Sequence, residues 1–468
     1  MTHSTKVRFG ARRWTGLLVL CAALLLEGMN IGSVNVQLAP ISADLGIAPA
    51  ALQYIVSAYL VCYAGFLLLG GRAADLFGRR RVFLIGVSVF LLASLLAAMA
   101  GGLTVLIVAR ALQGIGAAIS TPAALALIIS MFAEGPERNK AMGVYGAMGA
   151  AGFSVGLLIT GFFTEWLGWR AGFAVYAPLT LAVILLCPFV VPADRPEDLS
   201  KGGKDIAGAV TITLGLLALT FGVGESHVLS LSQSLVLFGA ALMLFLAFAW
   251  IETHSRDPLI PFRIFSAGSV LAGNLLAASF FAGVAGMMFV AALYLQSVLH
   301  MSPFYAGLAF APMSLMLVVS NNLSAVFINR IGMRRTIALG LALQVAGIVW
   351  FAQATEVTSY WANLLPSSLV LGLGIGLIFP AAMLAGTTGP DEHQRGLASS
   401  LVATSQQTGG ALGTALTATM LGSVAHGGNL SEAMGPALLS VALLPALGLA
   451  VTWAALRRPS ASSALALH

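Results

Sequence analysis

Gly71-Arg72-Ala73-Ala74-Asp75-Leu76-Phe77-Gly78-Arg79-Arg80-Arg81 interrupts two long apolar stretches with a knot of charge that cannot enter lipid. The chain must turn sharply there. Glycine suits positions where the backbone bends or packs closely, and arginines next to a membrane helix hold a turn on the cytoplasmic side. The knot therefore reads as a short loop between two membrane helices, and the rest of the chain agrees. Of 468 residues, 59% are hydrophobic and only 9% are charged, which is more apolar material than a soluble core uses. The formal charge of +6 lies in scattered short loops, with no continuous basic patch or aromatic interleaving, so no nucleic-acid partner is expected.

Hydropathy predicts spans at 15–38, 50–71, 82–100, 104–131, 141–164, 170–192, 206–224, 232–251, 268–298, 305–328, 335–353, 360–386, 396–424 and 436–456. This gives an all-α integral membrane protein of fourteen spans with both termini cytoplasmic. On that topology the cytoplasmic stretches collect Lys6, Arg8, Arg12, Arg13, Arg72, Arg79, Arg80, Arg81, Arg138, Lys140, Arg195, Lys201, Lys204, Arg256, Arg263, Arg330, Arg334, Arg335, Arg395, Arg457 and Arg458. Only Arg110 and Arg170 fall elsewhere, and one span more or fewer would scramble the bias. The basic segment before Trp14 leads into a span too long and too polar at its middle for a cleaved signal, so it stays as span 1. Cys21, Cys62 and Cys187 lie within spans without metal-ligand spacing, and the histidines fall in loops or tails. No disulfide, metal or cofactor is expected.

The chain also repeats itself. Asn329-Arg330-Ile331-Gly332-Met333-Arg334-Arg335 matches Asp75 to Arg81 in spacing, 254 residues downstream. Gly114-Ile115-Gly116 and Pro122-Ala123-Ala124 in span 4 find counterparts in Gly374-Ile375-Gly376 and Pro380-Ala381-Ala382 in span 12. Spans 1 to 6 thus correspond to spans 9 to 14, and spans 7 and 8 are an inserted pair. Such repeats build transporters from two bundles with a substrate site between them near the midplane. The expected organisation is a cytoplasmic tail at 1–14, an N-terminal six-helix bundle at 15–192 and a linker at 193–205. The inserted helices with their following loop occupy 206–262, the C-terminal bundle 263–456 and a cytoplasmic tail 457–468.

These residues resemble the major facilitator superfamily, and within it the fourteen-span drug:proton antiporters. The superfamily's loop signature appears as Gly71, Ala74, Asp75, Gly78, Arg79 and Arg80, with departures at Ala73 and Leu76. The span 4 signature appears as Arg110, Gln113, Gly114, Gly116, Ala117 and Ala118. Further matches are Gln53 with Tyr59, Trp169-Arg170 with Phe173 and Pro178, Tyr294-Leu295-Gln296 before Ser302-Pro303, and Gly396-Leu397-Ala398 with Gly409, Gly410 and Gly413. The antiporter signature of span 5, Gly-Pro-x-x-Gly-Gly, is altered to Gly152-Phe153-Ser154-Val155-Gly156-Leu157. The resemblance implies a major facilitator fold in the cell membrane and proton-coupled export of drugs. The altered span 5 leaves open whether Gly152 and Gly156 only pack helices closely or also seal an antiporter.

Glu27 is the only acid well inside a predicted span. Burial disfavours a charged carboxylate, so the neutral form becomes accessible, as coupling to protons requires. Asn30 and Gln37 fall within about 80° of it on a helical projection, forming a polar strip that should line the substrate cavity, whereas Asn35 lies on the opposite flank. Arg110 and Gln113 share a helical face in span 4. Arg110 reads equally as a relay that tunes Glu27, which is the family's implication, or as an arginine holding loops or backbone carbonyls. Gln296 is a further cavity candidate. The knot has two readings as well. Its arginines can simply set orientation, or Asp75 can sit at the N-terminal end of a helix of the second bundle while Arg79 and Arg80 find acidic or carbonyl partners, closing an inner gate. The weakened copy at Asn329 has lost the acid.

The expected function is export of amphipathic or cationic small molecules by a monomer working in the bilayer, with the proton as coupling ion. Bond-making catalysis is not expected. Lys201-Gly202-Gly203-Lys204-Asp205 does not form a phosphate-cradling loop, so an ATP-driven pump is excluded. A dedicated metabolite exporter, a uniporter, or a transporter-like sensor or scaffold are the competing readings.

Overall fold

The computed structural model describes residues 2–133, 135–194, 205–226, 229–255, 258, 260–266, 268–354, 359–388, 394–425 and 430–455. The expected linker falls largely, and the tail at 457–468 wholly, outside the described residues. No strand occurs among them. The first half consists of α1 (Thr2–Leu45), α2 (Gln53–Phe77), α3 (Arg79–Ala98), α4 (Leu103–Met131), α5 (Pro136–Leu167), α6 (Trp169–Ala174) and α7 (Tyr176–Val190). The inserted pair is α8 (Ile206–Gly224) and α9 (Leu231–His254). The second half comprises α10 (Gly268–Leu293), α11 (Pro303–Ala309), α12 (Ala311–Ile331), α13 (Met333–Phe351), α14 (Leu365–Thr387), α15 (Arg395–Ala425) and α16 (Leu430–Ala455).

Two expected spans are broken. Span 6 divides into α6 and α7, and span 10 into α11 and α12. Pro178 and Pro312 stand just past the breaks, and neither has an N–H to continue the preceding turn. Among the described residues, thirteen segments are long and apolar enough to cross a membrane. The segment expected as span 13 forms the 31-residue helix α15, which is less apolar than the others. At 1.5 Å per residue its length exceeds a hydrocarbon core of about 30 Å. Its Gly, Ser, Thr and Gln content suits its surroundings, because it packs between α10, α16 and α2.

Helix α1 packs chiefly on α5, and α4 on α2 and α3, while in the second half α14 packs on α12 and α13. Glycines set the closest of these approaches. A Cβ at Gly28 would lie 3.1 Å from Phe153 N and 3.2 Å from Gly152 Cα. On the opposite helix, one at Gly152 would strike the Leu25 backbone and one at Gly156 the Met29 backbone. The residues that replace the proline and second glycine of the span 5 pattern pack on another glycine, with Phe153 Cδ2 at 3.2 Å and Leu157 Cγ at 3.4 Å from a Cβ built on Gly32. Glycines of α1 thus receive the bulk that α5 has gained.

The repeated knots share a local design. Gly78 (φ 97°) and Gly332 (φ 86°) end α2 and α12 in a backbone region that side chains rarely adopt, and α3 or α13 starts at the next residue. Arg80, two residues on, donates to Val191 O at 3.1 Å and Pro188 O at 3.5 Å at the end of α7, and its backbone N–H donates to Asp194 Oδ2 at 3.0 Å. Arg334, at the equivalent place, donates to Trp453 O at 2.6 Å near the end of α16 and lies 4.3 Å from that indole's centre. In both copies an arginine fastens the turn to the last helix of its own bundle, where unpaired C-terminal carbonyls favour a cation.

At the end of the molecule remote from the knots, one hydrophobic core takes in both halves, joining Met29, Tyr59 and Leu157 to Met288, Phe310 and Ala411. At the knot end the core divides. One cluster, built on Leu20, Phe83, Ile128 and Cys187, belongs wholly to the first bundle, and another, built on Phe280, Ile337 and Ile378, wholly to the second. The two bundles therefore share a core at the far end, while at the knot end each has its own, and a further cluster there joins the inserted pair to the second bundle through Ala209, Phe248, Val270 and Ala398, with Leu68 and Leu69 of α2 packed against it. A Cβ on Gly143 or Gly146, in the knot-side half of α5, would have nothing within 4 Å.

Because α1 and α5 touch backbone to backbone, Gly28→Val should destabilise the protein by about 1–3 kcal/mol, the usual cost of overpacking. Thermal unfolding in detergent should register this as a lowered midpoint, whereas Gly143→Val should leave the midpoint unchanged.

Candidate functional site

Polar residues of the first bundle gather on α1, α2 and α4 around one guanidinium. Arg110 is 1% exposed. Its Nε donates to Ile55 O at 2.9 Å, one terminal nitrogen donates to Gln113 Oε1 at 2.9 Å and to Asn30 Oδ1, and its Cζ lies 4.6 Å from the Tyr59 ring centre. Gln113 passes the chain on to Ser94 Oγ at 2.8 Å, and Ser94 to Phe90 O at 2.7 Å. A buried arginine stays protonated, so neutral acceptors and an aromatic face must replace its hydration.

Glu27 lies on the same helix as Asn30, one turn towards the knot end, and is 8% exposed. Its Oε2 accepts from Thr121 Oγ1 at 2.7 Å, and the Tyr63 hydroxyl bonds the same carboxylate. Tyr145 of α5 approaches Thr121 O at 3.5 Å. Among the described residues no ion pair joins Glu27 to Arg110, whose polar partners are all neutral. Of the two readings of Arg110, the hold on a backbone carbonyl is what its contacts display, through Ile55 O.

The structure redistributes the expected cavity residues. Asn30 and Gln113 are fully buried members of the arginine network. Gln37 lines no cavity; it is fully buried and ties α1 to α6 by donating to Trp169 O at 2.9 Å. Gln296 bonds back to Ala292 O of its own helix at 3.4 Å. Asn35 does likewise, to Ile31 O and Gly32 O at 3.3 Å. Among the described residues, the second bundle supplies neutral pairs near its middle, such as Ser405 Oγ to Asn274 Oδ1 at 2.7 Å and Gln344 Nε2 to Phe280 O at 2.7 Å.

The inter-bundle contact expected of Asp75 is not formed in this conformation. Asp75 instead pairs with Arg79 of the next turn at 3.6 Å, both partly exposed. A carboxylate on a helix N-terminus does bridge the bundles, but at the far end. Glu165 Oε2, near the end of α5, accepts from Ser302 Oγ at 2.5 Å and from Phe304 N at 3.1 Å at the start of α11. Gly161 faces Pro303 O there, and Gly307 faces Leu157 O. Arg170 ties Asp44 at 2.8 Å to Ala100 O at 3.0 Å, and Trp169 Nε1 donates to Asp44 at 3.0 Å. Hydropathy could not single out Tyr59, Tyr63 or Glu165. Tyrosines are common in spans, and Glu165 lies just past the predicted end of span 5.

The profile of the Major Facilitator Superfamily matches residues 20–414. The puromycin resistance protein pur8 of Streptomyces alboniger is 38% identical over 424 residues, covering 87% of this chain and 82% of that protein. The cephamycin export protein CmcT of Amycolatopsis lactamdurans is 36% identical over 435 residues, covering 92% and 90%. Among solved structures, that of an auto-inhibited POT family peptide transporter aligns with a TM-score of 0.71 at 14% identity, over 96% of this chain and 98% of that one. At that identity the likeness is one of fold.

The fork of donors on Arg110 makes a test possible. Lysine keeps the charge but cannot serve Ile55 O, Asn30 and Gln113 from a planar group, so Arg110→Lys should cost about 1–3 kcal/mol of stability. Denaturant or thermal unfolding in detergent would measure the loss.

Proposed function

Because the chain belongs to the Major Facilitator Superfamily, we propose that it exports antibiotic-like amphipathic molecules across the cell membrane by alternating access, with protons as the coupling ion and Glu27 as their site. Relatives named for resistance to or export of puromycin, cephamycin, tetracenomycin C and lincomycin support the substrate class. The observation that carries the coupling is the position of Glu27, a buried carboxylate at mid-span in the first bundle. It is held by two hydroxyls rather than by a cation. Such a group exchanges its proton when water reaches it, and the two protonation states differ in what they attract.

Fourteen spans with cytoplasmic termini and the domain boundaries of the sequence reading fit this function, and a single chain carries both bundles. The arginine distribution makes the knot end cytoplasmic. The conformation is then inward-facing, with a proton leaving Glu27 and substrate entering on the same side. Opened outward, Glu27 takes up a proton and releases a cationic or polar substrate, so the two ligands compete for one carboxylate. The uniporter reading requires a leaky contact between α1 and α5. The fit of Phe153 and Leu157 on Gly32 argues for a closed one.

Reconstituted vesicles with an imposed pH gradient test the coupling. Wild type should concentrate one or more of puromycin, lincomycin and a lipophilic cation in response to the gradient, and Glu27→Gln should abolish that response. Unaltered proton dependence in Glu27→Gln would remove Glu27 from the mechanism. Alternating access makes a second prediction. Chemical crosslinking of a Glu165→Cys, Ser302→Cys pair should stop transport, and cleavage of the link should restore it, because the far ends must separate in every cycle.

A further inference from the structure

We propose that the Tyr59–Tyr63 turn of α2 transmits the protonation of Glu27 to the seam between the bundles, with the Tyr59 hydroxyl as the positioning group. The proposal rests on the reading of Glu27 as the coupling carboxylate and adds how its state reaches the second bundle. One face of the turn touches the charged site. Tyr63 bonds Glu27, and the ring of Tyr59 lies beneath Arg110 with its centre 5.8 Å from that of Tyr63. Behind the turn α4 packs against the backbone, with Tyr63 N at 3.1 Å and Cys62 Cβ at 3.2 Å from a Cβ built on Gly114. The intervening Leu60 points to the other bundle. Its Cδ1 lies 3.3 Å from a Cβ built on Gly410 of α15, where Phe281 of α10 also approaches to 2.9 Å. A shift of this one turn is therefore felt at the carboxylate and at the seam together.

Hydrogen-bond capacity supplies the drive. An ionised carboxylate only accepts, and Thr121 and Tyr63 both direct hydroxyls at Glu27. Once protonated, Glu27 is a donor as well, and its new O–H needs an acceptor that the ionised form did not. The Tyr59 hydroxyl, fully buried and without a hydrogen-bond partner, is an acceptor within electrostatic reach of Glu27. Asn30 Nδ2, on the far side of Arg110's acceptor, is likewise unpaired. Unpaired buried groups are unfavourable, so a rearrangement that gives the new donor to Tyr59 relieves two mismatches and turns the tyrosines relative to α1. The titratable groups that face Glu27 are Tyr59 and Tyr63 from α2 and Tyr145 from α5, with Arg110 of α4 and Tyr176 of α7 beyond Tyr59 and Cys21 of α1 beside Tyr145. Glu27 is the one carboxylic acid of this set.

Spin labels on the exposed far ends, at Trp166→Cys in α5 and Tyr305→Cys in α11, report the seam by pulsed electron resonance in lipid nanodiscs without any substrate. In the otherwise unaltered chain the ratio of separated to closed distances should change between acidic and alkaline pH, and Glu27→Gln should abolish that change. Tyr59→Phe keeps the ring under Arg110 and should reduce the change roughly tenfold, the weight of about one buried hydrogen bond. Leu60→Ala, on the other face of the turn, should reduce it as well while Glu27 keeps its surroundings. A full pH response in both α2 variants, with the response lost in Glu27→Gln, would overturn this proposal and leave the coupling role of Glu27 standing. A response that survives in Glu27→Gln would overturn the coupling role itself.

Discussion

A guanidinium enclosed in the first bundle has to be paid for in hydrogen bonds, and the way this chain meets that demand organises the site. Arg110 draws one acceptor from the α2 backbone, one from α1 and one from its own helix, with an α2 ring beneath it. Three helices are thereby held in one register. Glu27, one turn from Asn30, is positioned by the same constraint although it never touches the arginine. A direct ion pair would have held the carboxylate ionised; two hydroxyls leave it able to change state.

Charge is shared unequally between halves that are otherwise built alike. Gly78 and Gly332 make the same turn, and Arg80 and Arg334 make the same attachment to the last helix of their own bundles. The pattern that repeats is the one that holds each bundle together. What does not repeat is functional: the second half has no acid matching Asp75, and its central polar residues are amides and hydroxyls. Among the described residues of the two bundles, the buried charged side chains, Glu27 and Arg110, both lie in the first.

The division of the hydrophobic core gives movement between the bundles a physical basis. A shared core at the far end and separate ones at the knot end, where the inserted helices join the second bundle to the edge of α2, give the bundles a seam about which to move. The seam combines that shared apolar core with close glycine contacts and with Glu165 at the start of α11. A carboxylate on a helix N-terminus at an exposed site is worth about 0.3 to 1 kcal/mol, enough to bias two nearly balanced states without locking one.

The membrane class, the helical architecture and the repeat were legible in the sequence because lipid imposes them on composition, on the length of apolar runs and on the placing of arginines. Glu27 and Arg110 stood out for the same reason, since a charge inside a span is rare enough to be conspicuous. Depth and partnership were not legible. A helical projection placed Asn30 and Gln37 on one strip, yet Asn30 went to Arg110 and Gln37 to the Trp169 carbonyl, because neighbouring helices rather than the strip decide what a side chain meets. The acid-on-helix contact weighed for Asp75 is made at the other end by Glu165, which only the packed structure shows. One chain's residue types determined what must be buried and where charge could sit. Which buried groups face one another was decided by the crossing of distant helices, a long-range outcome that no local pattern encodes.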